Sequence, residues 1–247
     1  MHRFFADENG IQNGIAFLNE EDSRHALRVL RLEAGDEIEL VCAPERYLAE
    51  ITEISDDLVR VCAKKTLRCT EAKTRVTLYQ GLPKADKMEL VVQKATELGA
   101  YAVQPVAMER CVVKLDGKDA EKKTERWQKI AREAVKQCAR ISAPEVCLPK
   151  RLSQLEAEFA QLDVLIVPWE DARDGSIRHS LAPFEGKEEI SVGVLIGPEG
   201  GIDAKEAAWL SRLSNARLVT LGPRILRTET AALASLAMVM ACRGEME

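Results

Sequence analysis

Two arginines, a glutamate and two threonines crowd the stretch LGPRILRTETAA (residues 221–232), just ahead of an almost wholly apolar segment. A guanidinium keeps its charge at any working pH and presents a planar fork of donors. Arg224 and Arg227, presented by the turn at Gly222-Pro223, are therefore suited to stabilising negative charge as it develops on a substrate. Glu229 is the neighbouring carboxylate and completes the candidate catalytic set. A local ion pair between Arg227 and Glu229 that merely orders the loop is the competing reading. Upstream, VLIGPEGGID (194–203) places Glu199 in the middle of a glycine-rich turn. This stretch has neither the lysine of a G-x-x-x-x-G-K-[ST] loop nor G-x-G-x-x-G spacing, which argues against a nucleoside triphosphate or a dinucleotide. Glycines let a ligand approach the main chain with no Cβ in between, and the central carboxylate favours a neutral or cationic one.

Other chemistry is sparse. His2, His25 and His179 are scattered and match neither a metal-binding nor a catalytic-triad pattern, so no metal is expected. The seven cysteines contain no C-x-x-C pair and are odd in number, which fits inert thiols in a reducing cytoplasm better than a disulfide framework. The N-terminal MHRFFADENG lacks a signal-peptide layout, and no apolar run approaches the ~20 residues a membrane span requires. A cytoplasmic protein with no membrane partner is expected.

Both loops need strands before them and helices after them, and the sequence supplies both. At 247 residues the chain can hold one large domain or two smaller ones. Residues 1–70 read as a small β-barrel or sheet, from segments such as DEIELV, YLAEITEI and LVRVCAKKTL. From residue 75 to 247 the pattern alternates. RVTLYQGL, AYAVQPVAM, DVLIVPW, ISVGVLIG and ARLVTLG read as strands, with helices at KMELVVQKATELG, EKKTERWQKIAREAVKQCAR and the C-terminus. Continuous apolar strands alternating with helices indicate an α/β fold with a parallel sheet covered on both faces. Such sheets bind ligands at the carboxyl ends of their strands, where both loops fall. Asp203 with Glu206 forms a capping-box pattern, and Thr228 or Thr230 can cap the last helix.

The formal net charge of −5 excludes a surface built wholly for nucleic acid. Charge is nevertheless uneven: residues 109–151 carry twelve Lys/Arg against seven Asp/Glu, and residues 1–70 carry nine against fourteen. Arg24, Arg28 and Arg31 fall at helical spacing, as do Arg132, Lys136 and Arg140. Each set reads equally as an RNA-binding stripe or as a solvated helix face, and Trp127 as an RNA contact or as core.

Taken together, IGPEGGID and LGPRILRTETAA resemble the signature of the SPOUT methyltransferases. Within that class they resemble more closely the bacterial 16S ribosomal RNA uridine N3-methyltransferases. The likeness extends through RFF, LRVLRLEAGD, KADKMELVVQKATELG, MERCVVK and RWQKIAREAVKQCARISAPEV, and so covers nearly the whole chain. It implies a PUA-like RNA-binding barrel over 1–70 and a SPOUT domain over 75–247, with a deep trefoil knot at about 165–235. It also implies a homodimer that holds S-adenosylmethionine, takes 16S rRNA or the small ribosomal subunit as partner, and does not bind DNA. By the same likeness the cofactor contacts are Val167, Pro168, Ile196, Gly197, Pro198, Glu199, Gly200, Gly201, Leu221, Gly222, Ile225, Leu226, Arg227, Thr230 and Ala231, with Trp169 beside the strand end. One departure stands out: Ala139 occupies a position where the family pattern has glycine before the arginine. A SPOUT enzyme acting on ribose 2′-oxygen or on transfer RNA, and a non-catalytic rRNA-binding assembly factor, are the alternatives.

Overall fold

The computed structural model describes residues 1–7, 9–115 and 117–246. The chain divides into two compact units, Met1–Glu71 with Ala139–Ser142 and Ala72–Cys138 with Ala143–Glu247.

The first unit is built on strands β1 (Arg3–Phe5), β2 (Ile15–Phe17), β3 (Glu37–Cys42), β4 (Glu45–Ser55) and β5 (Leu58–Thr66), in the order β1-β3-β4-β5-β2. Only β1 and β3 run parallel; the other neighbours are antiparallel. A bridge between Ala6 and Leu18 ties the two outer strands together and curls the sheet toward a barrel. Alternation along the strands sends Ile38, Leu40, Ala49, Ile51, Val59 and Val61 into one interior with Phe4. Helix α1 (Glu20–Arg24) is capped by Asn19 and runs directly into a π-turn at His25–Val29.

That turn corrects the expected basic stripe. A π-turn breaks the 3.6-residue repeat, and Arg31 lies beyond it with φ of 55°. Arg24, Arg28 and Arg31 are all exposed but do not line one regular helix. Arg28 pairs with Asp57 at 2.7 Å, and Arg24 reaches back to Glu20 at 3.9 Å.

The second unit is a parallel sheet of β6 (Arg75–Gly81), β7 (Ala102–Ala107), β8 (Glu145–Val146), β9 (Lys150–Arg151), β10 (Val164–Pro168), β11 (Ser191–Ile196) and β12 (Ala216–Val219). The strand order is β12-β10-β11-β6-β7-β8, with β9 also pairing β7. On one face Val76, Leu78, Ile166 and Val194 pack against α2 (Lys87–Glu97), α3 (Gly117–Cys138), α5 (Ile177–Leu181) and α7 (Thr228–Cys242). On the other, Tyr79, Leu165, Val167 and Leu195 pack against α4 (Glu156–Phe159) and α6 (Ala204–Leu210). Coverage of both faces is what removes polar alternation from these strands. Trp127 is buried in the first of these cores. No helix among the described residues is long and apolar enough to cross a membrane.

The expected row of Arg132, Lys136 and Arg140 is also corrected. Helix α3 stops at Cys138, Ala139 takes a left-handed φ of 67°, and Arg140 turns into the first unit at 7% exposure. Its Nε and Nη2 donate to one Glu71 oxygen at 3.0 and 2.7 Å, and the other oxygen accepts from the Ile141 amide at 2.6 Å. Arg132 and Lys136 stay exposed on α3. The helix ends because the chain reverses hand at residue 139, where glycine suffers no Cβ penalty and alanine does.

Two outcomes follow. Arg140→Ala leaves the Glu71 carboxylate half-buried without its cation, and urea unfolding should report a loss of about 3 kcal/mol, against under about 0.5 kcal/mol for Arg132→Ala. Ala139→Gly removes the left-handed strain, and its urea midpoint should rise by an amount equivalent to about 0.5–1 kcal/mol.

Candidate functional site

The site is assembled at the carboxyl ends of β10, β11 and β12. After Ile196 the chain makes a tight loop whose glycines are required by sterics. A Cβ on Gly197 would sit 2.9 Å from backbone atoms of Gly201 and Ile202, and Gly201 itself has φ of 72°. Asp203 then starts α6 in a full capping box with Glu206, as expected. The loop is held from outside. Arg110 donates to the Gly200 carbonyl at 2.9 Å and meets Asp203 at 3.4 Å, and the Glu109 amide donates to Glu206 at 2.9 Å. Beneath it, β6 ends so close that a Cβ on Gly81 would lie 2.6 Å from the Pro198 nitrogen.

The second loop leaves β12 at Val219. The Gly222 amide donates to the Thr220 hydroxyl at 3.1 Å, and Gly222 adopts φ of 101°. Neither Thr228 nor Thr230 caps α7: the N-cap is Arg227, in extended conformation and without a capping side-chain bond. The Thr228 hydroxyl is used differently. It donates to the Gly197 carbonyl at 2.7 Å and accepts from Gln80 Nε2 at 2.9 Å, which staples the start of α7 to the first loop. A buried hydroxyl with both partners supplied has nothing left to offer a helix terminus. Thr230 is exposed.

Between the loops lies an open cleft of about 720 Å³. Of the residues expected here, Pro168, Ile196, Gly197, Pro198, Glu199, Gly201, Leu221, Gly222, Arg224, Ile225, Leu226, Arg227 and Ala231 line it. Val167 is fully buried in the core behind it. Gly200 packs against Arg110, and Thr230 and Glu229 lie outside the wall. Trp169, expected beside the strand end, lines the cleft, joined by Glu170 and Arg173, which sequence reasoning missed. Their one legible signal was their place after a parallel strand.

Charge is arranged around the cleft rather than spread through it. No ion pair to Arg224 or Arg227 is found among the described residues, so the local Arg227–Glu229 pair does not form. Glu229 instead lies 3.2 Å from the Lys87 ammonium, as does Glu199. The Glu199 carboxylate also accepts from the Lys84 amide at 3.0 Å. Burial favours protonation of Glu199, but that amide, its own amide and Lys87 outweigh it and hold the group below the usual carboxylate range. Contact with Glu199 raises Lys87 above the usual lysine range; desolvation opposes this and Glu229 reinforces it. Lys87 went unnoticed in sequence because a lysine at a helix start looks like ordinary surface charge.

Comparison with known proteins agrees with this geometry. A family model described as an RNA methyltransferase domain matches residues 70–240, and one described as an RNA methyltransferase PUA domain matches residues 18–61. The ribosomal RNA small subunit methyltransferase E of Bacillus subtilis is 36% identical over 249 residues, spanning 97% of this chain and 96% of the relative. This chain belongs to the methyltransferase E family. Its Aquifex aeolicus relative of the same name is 30% identical, across 97% of this chain and 99% of its own. The crystal structure of the Neisseria gonorrhoeae methyltransferase E, bound to S-adenosyl methionine, superposes with a TM-score of 0.76 at 28% identity, covering 98% of this chain and 97% of that one.

The close approach beneath the first loop makes a direct prediction. Gly81→Ala must push the Pro198 backbone away, since neither atom belongs to a flexible side chain. Stability should fall by about 1–3 kcal/mol, and hydrogen exchange should quicken chiefly across residues 197–203.

Proposed function

We propose that this protein transfers a methyl group from S-adenosylmethionine to small-subunit (16S) ribosomal RNA, and that the acceptor is ring N3 of one uridine. The observation that carries the reading is the meeting, in one cleft, of a glycine cradle centred on Glu199 and an arginine-bearing turn. The residues present fit such a ligand. Gly197 and Gly201 let the loop close tightly on itself and line the cleft, Ile196, Leu221 and Leu226 offer an apolar wall for a purine, and Glu199 and Glu170 are carboxylates suited to a cation.

When bound, S-adenosylmethionine supplies an electrophilic methyl group on a positively charged sulfur. This chain's own residues do the rest. The uridine N3 proton must leave before or during attack, and the resulting charge spreads over the ring carbonyls. Arg224 and Arg227 are exposed on the cleft rim and carry no ion pair among the described residues, so their charge is available to those carbonyls. Glu229, turned toward Lys87, acts in this reading on the shape of the site. The N3 of a paired uridine is hidden, so the base is taken unpaired or flipped.

A homodimer completes the proposal. Ile225 is 87% exposed on the rim, and α2 and α7, packed side by side, expose Leu90 and Met238. These apolar side chains, next to a cleft open to solvent, support burial against a second copy. We also infer that residues 165–235 are threaded as a trefoil knot, that the barrel-like first unit grips RNA with exposed Arg24, Arg28 and Arg31, that Arg132 and Lys136 add phosphate contacts, and that the enzyme works in the cytoplasm.

Nucleoside mass spectrometry of 16S rRNA incubated with the protein and S-adenosylmethionine tests the reading. N3-methyluridine is the expected product, and a ribose-methylated nucleoside or no product overturns it. Arg227→Ala, still folded, should lose about 100-fold or more in methyl transfer rate, the scale for removing one charge-stabilising donor. Near-normal turnover would remove Arg227 from the chemistry.

A further inference from the structure

Lys87 is the first residue of α2, where the helix dipole favours acids and disfavours a cation. Its ammonium nevertheless sits there, 3.2 Å from two carboxylates: Glu199 of the first cleft loop and Glu229 in the first turn of α7, directly after the second. Glu229 Oε2 is buried and makes no well-aligned hydrogen bond, so Lys87 is its compensating charge. Without that charge the carboxylates of the first loop and of the α7 start would face each other across a partly desolvated gap, and like charges there repel strongly. The other tie between the loops, Gln80–Thr228–Gly197, springs from the same β6–α2 segment and joins backbone to hydroxyl. Lys87 adds the tie that sets side-chain direction, because Glu199 lines the cleft while Glu229 does not.

We propose that Lys87 is a positioning residue for the methyl-transfer reaction: it bolts Glu199 to Glu229, fixes the gap between the two loops, and so holds the cleft in the shape the methyl donor binds. This rests on the reading that the cleft between these loops is the S-adenosylmethionine site. Pre-set loops do not have to be ordered when the donor arrives, so affinity is gained without any new contact to it. Lys87 itself touches neither donor nor RNA in this scheme.

The test is calorimetric titration of the full chain with S-adenosylmethionine and, separately, with its neutral product S-adenosylhomocysteine. Lys87→Met should weaken the neutral product about tenfold or more, because shape is lost, and the cationic donor somewhat less, because the Glu199 charge left uncompensated lines the cleft. Lys87→Arg, which can still bridge two carboxylates, should recover to within about threefold. Lys94→Met on the same helix, breaking only its surface pair with Glu97, should change nothing. In kinetics the donor KM should rise while the RNA KM holds.

The pH profile supplies a readout that loss of packing does not move. Among the described residues the titratable groups facing Glu199 are Lys87 from α2, through it Glu229 from α7, and the Cys111 thiol after β7, which stays neutral because burial pushes it up. The Glu199 carboxyl is depressed when folded, so its contribution is present above the ordinary carboxylate range and lost as pH falls through the lowered value. The wild type should keep its donor affinity down to that lowered value, and Lys87→Met should lose it at a higher pH, the ammonium that helps hold the carboxyl down being gone.

Unchanged affinity in a folded Lys87→Met protein, or a rise in RNA KM alone, overturns the inference. Ala231→Trp, which fills the cleft from α7, separates the two levels. If it abolishes donor binding while Lys87→Met has no effect, only the bolt falls. If it binds the donor normally, the cleft assignment falls and takes the bolt with it.

Discussion

One hydroxyl holds the site together. Thr228 Oγ1 lies between the Gln80 amide and the Gly197 carbonyl, and each partner fixes what it can do. Gln80 is fully buried and its Nε2 also donates to the Gly81 carbonyl, so a flipped amide would set two oxygens against each other. The amide must therefore donate to Thr228, and the threonine proton is left to point at Gly197. The cost is a buried Gln80 Oε1 without a partner among the described residues, a penalty of about 1–3 kcal/mol. The gain is that three segments far apart in sequence, β6, the glycine loop and the start of α7, share one polarity-defined junction. The cleft is the space that this junction leaves open.

The arrangement of charge follows from the same geometry. An arginine loop beside an acidic residue commonly neutralises itself, and Arg227 with Glu229 two residues on could have done so. Here the threonine staple starts α7 with Glu229 turned inward to Lys87, and the arginines stay on the rim. Lysine neutralises the acids so that arginine need not. A chain of net charge −5 thereby presents uncompensated guanidiniums where an anionic ring and its flanking phosphates would lie. Screening over about 10 Å keeps the acids elsewhere from cancelling them.

What the sequence displayed follows the range of the interactions involved. The parallel sheet was legible because β10 and β11 are apolar on both faces, and that pattern is local. So was the Asp203–Glu206 capping box, three residues apart. Most of the cleft lining was legible too, through the paired glycine loops and their family likeness. The failures are nonlocal. The use of Thr228 could not be read because Gln80 and Gly197 are distant in sequence, and local propensity makes threonine a helix cap. Arg140 looked helical because it continues the four-residue spacing of Arg132 and Lys136; the left-handed turn at Ala139 ends α3, and beyond it the sequence-distant Glu71 captures both Arg140 and the Ile141 amide. A single π-turn spoiled the Arg24–Arg31 spacing, and nothing in SRHALRV announces it.

The two halves of the site obey opposite requirements. A donor-binding cradle must already have its final shape, since every residue ordered on binding subtracts from affinity. Gly197, Gly81 and Pro198 meet this by backbone contact, where even a methyl group will not fit. An RNA-facing rim must accept a large polyanion whose base has to be drawn out of its own structure, and long side chains in solvent can adjust to it. Arg224 and Arg227 are such side chains, on a loop that Gly222, Pro223 and the Thr220 hydroxyl constrain at its start. Fixing those arginines by ion pairs would order the rim and also spend the charge it exists to present. Rigidity belongs beneath the ligand and freedom above it, and the boundary between them runs through Thr228, buried at 5% exposure directly after exposed Arg227.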